Sequence, residues 1–161
     1  GIYAAASVLG KAVLYLPGAF AIALFPMVAE NHALGKSSIN LFLQAIGLTA
    51  FLSLIGSLFF YFLADHIILL SYGTDYKEAS SILKYFGFAV LPMSLIMVAE
   101  YFLIAMGRVL FAYLFIVVAP FQLIAIYYNH NTMLSVVVIM FVSGAILAIA
   151  GYGLLWKEFK K

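Results

Sequence analysis

Five stretches of about twenty or more residues carry almost no charge, and this pattern decides which solvent the chain can fold in. A helix needs about 20 apolar residues to cross the hydrocarbon core of a bilayer. The stretches cover residues 2–28, 39–63, 79–106, 109–128 and 133–156. Polar punctuation separates them: Glu30-Asn31-His32 through Lys36-Ser37-Ser38, then Asp65-His66 and the link to Glu78, Gly107-Arg108, and Asn129-His130-Asn131-Thr132. The runs are too long and too rich in Leu, Phe and Ala for barrel strands, which need about ten alternating residues. The predicted fold class is all-α. Residues 1–161 read as a single helical region of a polytopic membrane protein with five transmembrane helices.

Composition points the same way. Only 9% of the residues are charged and 67% are hydrophobic, whereas soluble domains carry about 25% charged residues. A water-soluble core of this size leaves too much surface in solvent to hide so much apolar material. A net charge of +2, with no Lys/Arg run on a polar face, gives no footprint for nucleic acid. Cysteine is absent, which excludes disulfides, thiolate metal sites and a Cys nucleophile. The chain opens at Gly1 with an apolar helix at once and lacks the basic start and cleavage pattern of a signal peptide. It reads as a fragment of a longer chain.

Orientation follows from Lys and Arg, which accumulate on the cytoplasmic side. Alternating links collect Lys36, Arg108, Lys157, Lys160 and Lys161 on one side, against Lys77 and Lys84 on the other. The first side is predicted to be cytoplasmic, with the C-terminus inside and Gly1 outside. Trp156 and Tyr152, Tyr101 and Tyr113, and Tyr127-Tyr128 fall near predicted span ends, where aromatic rings favour the interface. Asp75 followed by Glu78 predicts a capping box for the third helix.

Lys11 is the polar residue that asks most for a reason. Inside a span a lysine costs roughly 2.5–3.5 kcal/mol on insertion scales. Ser7, Lys11, Tyr15 and Gly18 share a face by three- and four-residue spacing, a polar stripe suited to the wall of a water-filled cavity. A cation there holds an anionic headgroup as a point charge. The other reading is that Lys11 snorkels to the interface. Glu100 is the second candidate, either a cavity acid or a residue reaching the nearby Gly107-Arg108 interface. Asp65 and His66 read as interfacial. Pro17, Pro26, Pro92 and Pro120 are hinge or kink candidates, because each removes a backbone hydrogen bond. Ser53/Ser57 and Gly144/Ala148 are small-residue pairs at four-residue spacing, suited to close helix contacts.

No catalytic constellation emerges. His32, His66 and His130 fall in three different links without metal-ligand spacing, the carboxylates are scattered, and no glycine-rich phosphate loop occurs. The expectation is a protein that is not an enzyme and uses no metal and no cofactor.

Gly1-Ile2-Tyr3-Ala4-Ala5-Ala6-Ser7-Val8-Leu9-Gly10-Lys11, then Leu16-Pro17-Gly18-Ala19 and Leu24-Phe25-Pro26, resembles the eighth helix of bacterial polysaccharide (lipid-linked oligosaccharide) flippases. There the patterns G-x-Y-x-A-A, L-P-x-A and L-F-P recur. Leu70-Ser71-Tyr72-Gly73, with Tyr76, Ala79 and Leu83, is similar to that family's link into its tenth helix, and Gly107-Arg108 fits the turn that follows. The resemblance runs in order along the whole chain. It implies membership of the superfamily that also holds multidrug exporters, with about twelve to fourteen helices in two lobes around a central cavity. This chain then supplies most of one lobe, and its partner is the missing N-terminal lobe. The implied activity is flipping of lipid-linked polysaccharide repeat units across the bacterial cytoplasmic (inner) membrane by alternating access, serving cell-envelope polysaccharide biosynthesis. The implied substrate is a polyprenyl-pyrophosphate-linked glycan, with Lys11 in the cationic cavity and membrane lipids around it. Two other readings remain. One is a cation-coupled drug or small-molecule antiporter of the same superfamily, using Glu100. The other is a non-transport subunit, in which Lys11 can be replaced freely, or an enzyme of envelope glycan assembly, against which the short Asp65–Glu78 link argues.

Overall fold

The computed structural model describes residues 1–159; Lys160 and Lys161, counted above with the basic side, lie outside the described residues. Among the described residues the regular structure is entirely helical: α1 (Ile2–Gly10), α2 (Tyr15–Ala33), α3 (Ile39–Tyr72), α4 (Ala79–Ala105), α5 (Leu110–Tyr128) and α6 (Met133–Phe159), with short 3₁₀ turns at Lys11–Leu14 and Thr74–Tyr76. Four helical segments among the described residues are long and apolar enough to cross a membrane: Ile2–Ala33, Ile39–Tyr72, Ala79–Ala105 and Met133–Lys157. The fifth, over Tyr113–Tyr128, is a shorter apolar helix.

The helix ends follow local chemistry. Gly35 and Gly107 take positive φ of 65° and 70°, a conformation that glycine adopts without a Cβ penalty. At the first, Lys36 N–H donates to Asn31 O and Gly35 N–H to His32 O. At the second, Arg108 N–H donates to Leu103 O and Gly107 N–H to Ile104 O. Both are the paired bonds of a Schellman stop, so Gly107-Arg108 forms the tight link its sequence suggests.

Three expectations about boundaries are corrected. The polar break at Glu30-Asn31-His32 does not end its helix, since α2 runs to Ala33. Asp65-His66 does not open a link either, because α3 continues to Tyr72 over 34 residues. A helix that has left the hydrocarbon core keeps its own backbone hydrogen bonds, so polar side chains alone do not stop it. His32 and His66 are therefore helical, and only His130 of the three lies in a link. The capping box at Asp75/Glu78 does not form: Glu78 flanks α4 with no side-chain cap bond, and Asp75 is wound into the 3₁₀ turn before it.

α4 is the central helix. It packs against α1, α2, α3 and α6, while α5 packs chiefly on α6. Small and polar side chains make the closest contact, between α3 and α4. Ser53 and Ser94 share a 2.6 Å hydroxyl bond, Ser57 Oγ donates to Ser53 O, and Gly87 lies against the Ser57 backbone. In lipid, apolar side chains gain little by leaving the solvent, so helix association relies on such close packing and on interhelical hydrogen bonds. The predicted small-residue pairs pack inside the bundle: Ser53 and Ser57 meet α4, Gly144 meets the Pro92 ring, and Ala148 is buried in the core. Ser94, the partner that completes the serine cluster, had no signal in its own neighbourhood.

Tyr152 also departs from its expected place. It is half-buried, donates its hydroxyl to Leu95 O at 3.0 Å, and packs its ring on Phe42, so it is a bundle residue and not part of an interfacial belt. Tyr113, Tyr127, Tyr128 and Trp156 are exposed, as belt residues are.

Candidate functional site

Residues 45–64 of α3 contain no charged and no amide side chain, and twenty residues at 1.5 Å rise span about 30 Å, the thickness of a hydrocarbon core. Asp65 stands at the end of that run and pairs with Lys84 of α4 at 2.9 Å. The pair marks one core boundary on two adjacent helices, on the side where the chain starts. Depths along the bundle can be read from it.

Lys11 is exposed and lies in the 3₁₀ turn between α1 and α2. Its neighbour Gly10 abuts Phe86 of α4, two residues beyond Lys84. Gly87, three residues beyond Lys84, already packs on Ser57, and Val13 lies against Gly56, so this level of the bundle is eight to nine residues inside Asp65 and Lys11 is about two helical turns, ~10 Å, inside the boundary. That is shallower than the middle of the span but well below the headgroup layer. The 3₁₀ turn has a local cause. Pro17 lacks an N–H and its ring crowds the carbonyl four residues earlier, that of Val13. The chain tightens over Lys11–Leu14 and resumes an α-helix with Pro17 in its first turn, where proline is tolerated. A 3₁₀ stretch inside a long helix is a frequent mark of a hinge or of strain. Pro26, Pro92 and Pro120 stand inside α2, α4 and α5, which continue past them. Beside Pro92, Ser94 Oγ donates to Leu91 O and the Tyr152 hydroxyl to Leu95 O.

The predicted stripe holds only in part. Tyr15 is exposed, and Ser7 is half-buried with its hydroxyl turned back to Ala4 O at 3.0 Å. Gly18 has left the stripe: it is buried, and a Cβ there would lie 3.0 Å from Met97 Cε. Its close approach to α4 is a packing role.

Glu100 lies sixteen residues beyond Lys84 on α4, about 24 Å further along the helix axis and so near the opposite boundary. It and Lys11 lie in different halves of the core and do not pair. Glu100 lines a cleft of about 270 Å³ between α4, α5 and α6, together with Leu14, Met93, Met97, Phe115, Gln122, Ser143 and Gly144. A carboxylate, an amide and a hydroxyl on otherwise apolar walls are hard donors, suited to a proton or a small hard cation and not to a soft metal. Ser143 spends its proton on Met140 O, which leaves its oxygen lone pairs as acceptors. Gln122 and Ser143 are the site residues that sequence reasoning missed. A readable signal exists for Gln122, a lone amide in an apolar run two residues after Pro120. Among the described residues no three His, Cys, Asp or Glu gather in a way that could hold a metal.

Compared with known proteins, the chain matches no family model, and no curated sequence or solved structure matches it.

Proposed function

We propose that this chain is part of a flippase for lipid-linked oligosaccharide or polysaccharide repeat units, working by alternating access in a bacterial cytoplasmic membrane with its C-terminus inside. The observation that supports this best is Lys11, an exposed cation about two turns inside a core boundary, at a 3₁₀ interruption of a membrane helix. A polyprenyl-pyrophosphate glycan keeps its tail in the bilayer while its pyrophosphate crosses the core, and on this reading Lys11 offers a positive charge along that path. The ordered resemblance of the Gly1–Lys11, Leu16–Ala19 and Leu24–Pro26 segments to flippases points the same way. On this reading Ser7 and Tyr15 flank the path of the headgroup, and the second lobe of the transporter covers the exposed side of the bundle.

In the full natural chain, Lys11→Ala is expected to lower surface polysaccharide about tenfold, the effect of one lost charge-assisted contact. Lys11→Arg should retain most export. Both variants should reach the membrane at normal levels, measured by immunoblot of membrane fractions. Unchanged export in Lys11→Ala removes the flippase role of this residue and favours a non-transport membrane subunit.

One specific feature favours a second reading, a cation-coupled antiporter. The Glu100 cleft has the donor set for a proton or a small cation. Here Glu100→Gln in proteoliposomes is expected to abolish the dependence of transport on an imposed proton or sodium gradient. A Glu100→Gln protein that still follows the gradient shows that the coupling does not run through this acid.

A further inference from the structure

At the end of the bundle where α3 runs into the Gly73 turn lies a second cavity, of about 240 Å³, lined by Asp65, His66, Leu69, Gly73, Thr74 and Lys77 among others. We infer that this cavity is a binding site for the phosphate-bearing headgroup of a membrane phospholipid. The inference is independent of the transported substrate proposed above.

Depth is the first reason. The uncharged run 45–64 fills the hydrocarbon core, and the cavity begins at the next residue, Asp65. Its mouth therefore lies in the headgroup layer, where lipid phosphates sit. Charge is the second reason. Lys77 contributes an ammonium, His66 a ring nitrogen and Thr74 a hydroxyl, all of which donate to phosphate oxygens. Asp65 is the one acid on the wall, and its carboxylate is engaged by Lys84 at 2.9 Å, so its charge is offset. Asp75 and Glu78, the other acids of this link, do not line the cavity.

Size and surroundings are the third reason. Sites that enclose whole small ligands measure about 300–1,000 Å³, so 240 Å³ suits a headgroup whose chains remain outside. Just inside the boundary, α3 exposes Phe59, Phe62 and Leu63, apolar surface along which acyl chains can lie. A free phosphate ion offers the same headgroup chemistry but gains nothing from that surface.

The test uses the full natural chain purified in mild detergent, with bound lipid counted by native mass spectrometry during titration with phosphatidylglycerol. Stoichiometric binding is expected, with diacylglycerol, which lacks the phosphate, retained about fivefold less or worse. His66→Gln/Lys77→Gln should weaken phosphatidylglycerol by about fivefold for the lysine charge removed. Lys77→Arg should bind normally, which separates a charge effect from a folding defect. Equal binding by the His66→Gln/Lys77→Gln protein overturns the site. So does equal binding of diacylglycerol. Displacement of the lipid by inorganic phosphate at the same molar concentration would show a free-ion site and overturn the lipid assignment.

Discussion

Gly87→Leu is expected to be the most damaging single substitution in the bundle. A Cβ at Gly87 would lie 3.0 Å from the Cα of Ser57, a backbone atom that cannot swing aside as a side chain can. The two helices must separate, and separation also strains the 2.6 Å Ser53–Ser94 hydroxyl bond further along the same interface. Overpacking a tight site costs about 3 kcal/mol at its upper range. Lipid offers no compensating hydrophobic force to press the helices together again. The measurement is the midpoint of thermal unfolding in detergent, read by fluorescence-detected gel filtration, with a large downward shift expected. Gly153→Ala is the matched control. A Cβ there meets nothing within 4 Å, and alanine favours the helix by up to about 1 kcal/mol over glycine. A Gly87→Leu protein as stable as the parent would mean that α3 and α4 do not meet at this point.

Gly144→Leu should have the next largest effect, and a more informative one. A Cβ at Gly144 would lie 3.2 Å from Pro92 Cγ, and the proline ring has little freedom to retreat. The remainder of a leucine side chain then extends into the cleft that Gly144 shares with Glu100. We expect about 1–2 kcal/mol of destabilisation from overpacking, together with loss of the open volume beside the carboxylate. In a transport assay at matched membrane levels, activity should fall at least as far as in Glu100→Gln if the cleft takes part in coupling. Full activity in Gly144→Leu, with a normal unfolding midpoint, would show that the cleft is not used. Gly144→Ala adds only the Cβ and should be tolerated with a shift of a few tenths of an ångström.

The parts of the structure legible in the residues are those governed by the solvent or by the backbone. A run of about twenty apolar residues suits only a bilayer, so the helical segments and the order of their links follow from hydropathy. Gly107-Arg108 stops a helix because glycine reaches positive φ easily. Pro17 predicts a local disturbance, and the 3₁₀ turn at Lys11–Leu14 is that disturbance, placed where the ring crowds Val13.

Lateral arrangement was not legible, for a physical reason. In water, the buried face of a helix is apolar and the outer face polar, so periodicity reveals which side packs. In lipid both faces are apolar, and that contrast vanishes. The sequence therefore carried no sign that Gly18 turns in against Met97 while Tyr15 faces out, or that Tyr152 reaches Leu95 in the bundle. It did not reveal that Ser94 meets Ser53 across 41 residues of chain, or that Gln122 and Ser143 gather beside Glu100. By itself the sequence determined the solvent, the helical segments and the Gly107-Arg108 stop, though not where α2 and α3 end, because each of these depends on a residue and its near neighbours. Only the tertiary structure decided which polar groups share a cleft and at what depth each charge lies, because those depend on contacts between helices far apart along the chain.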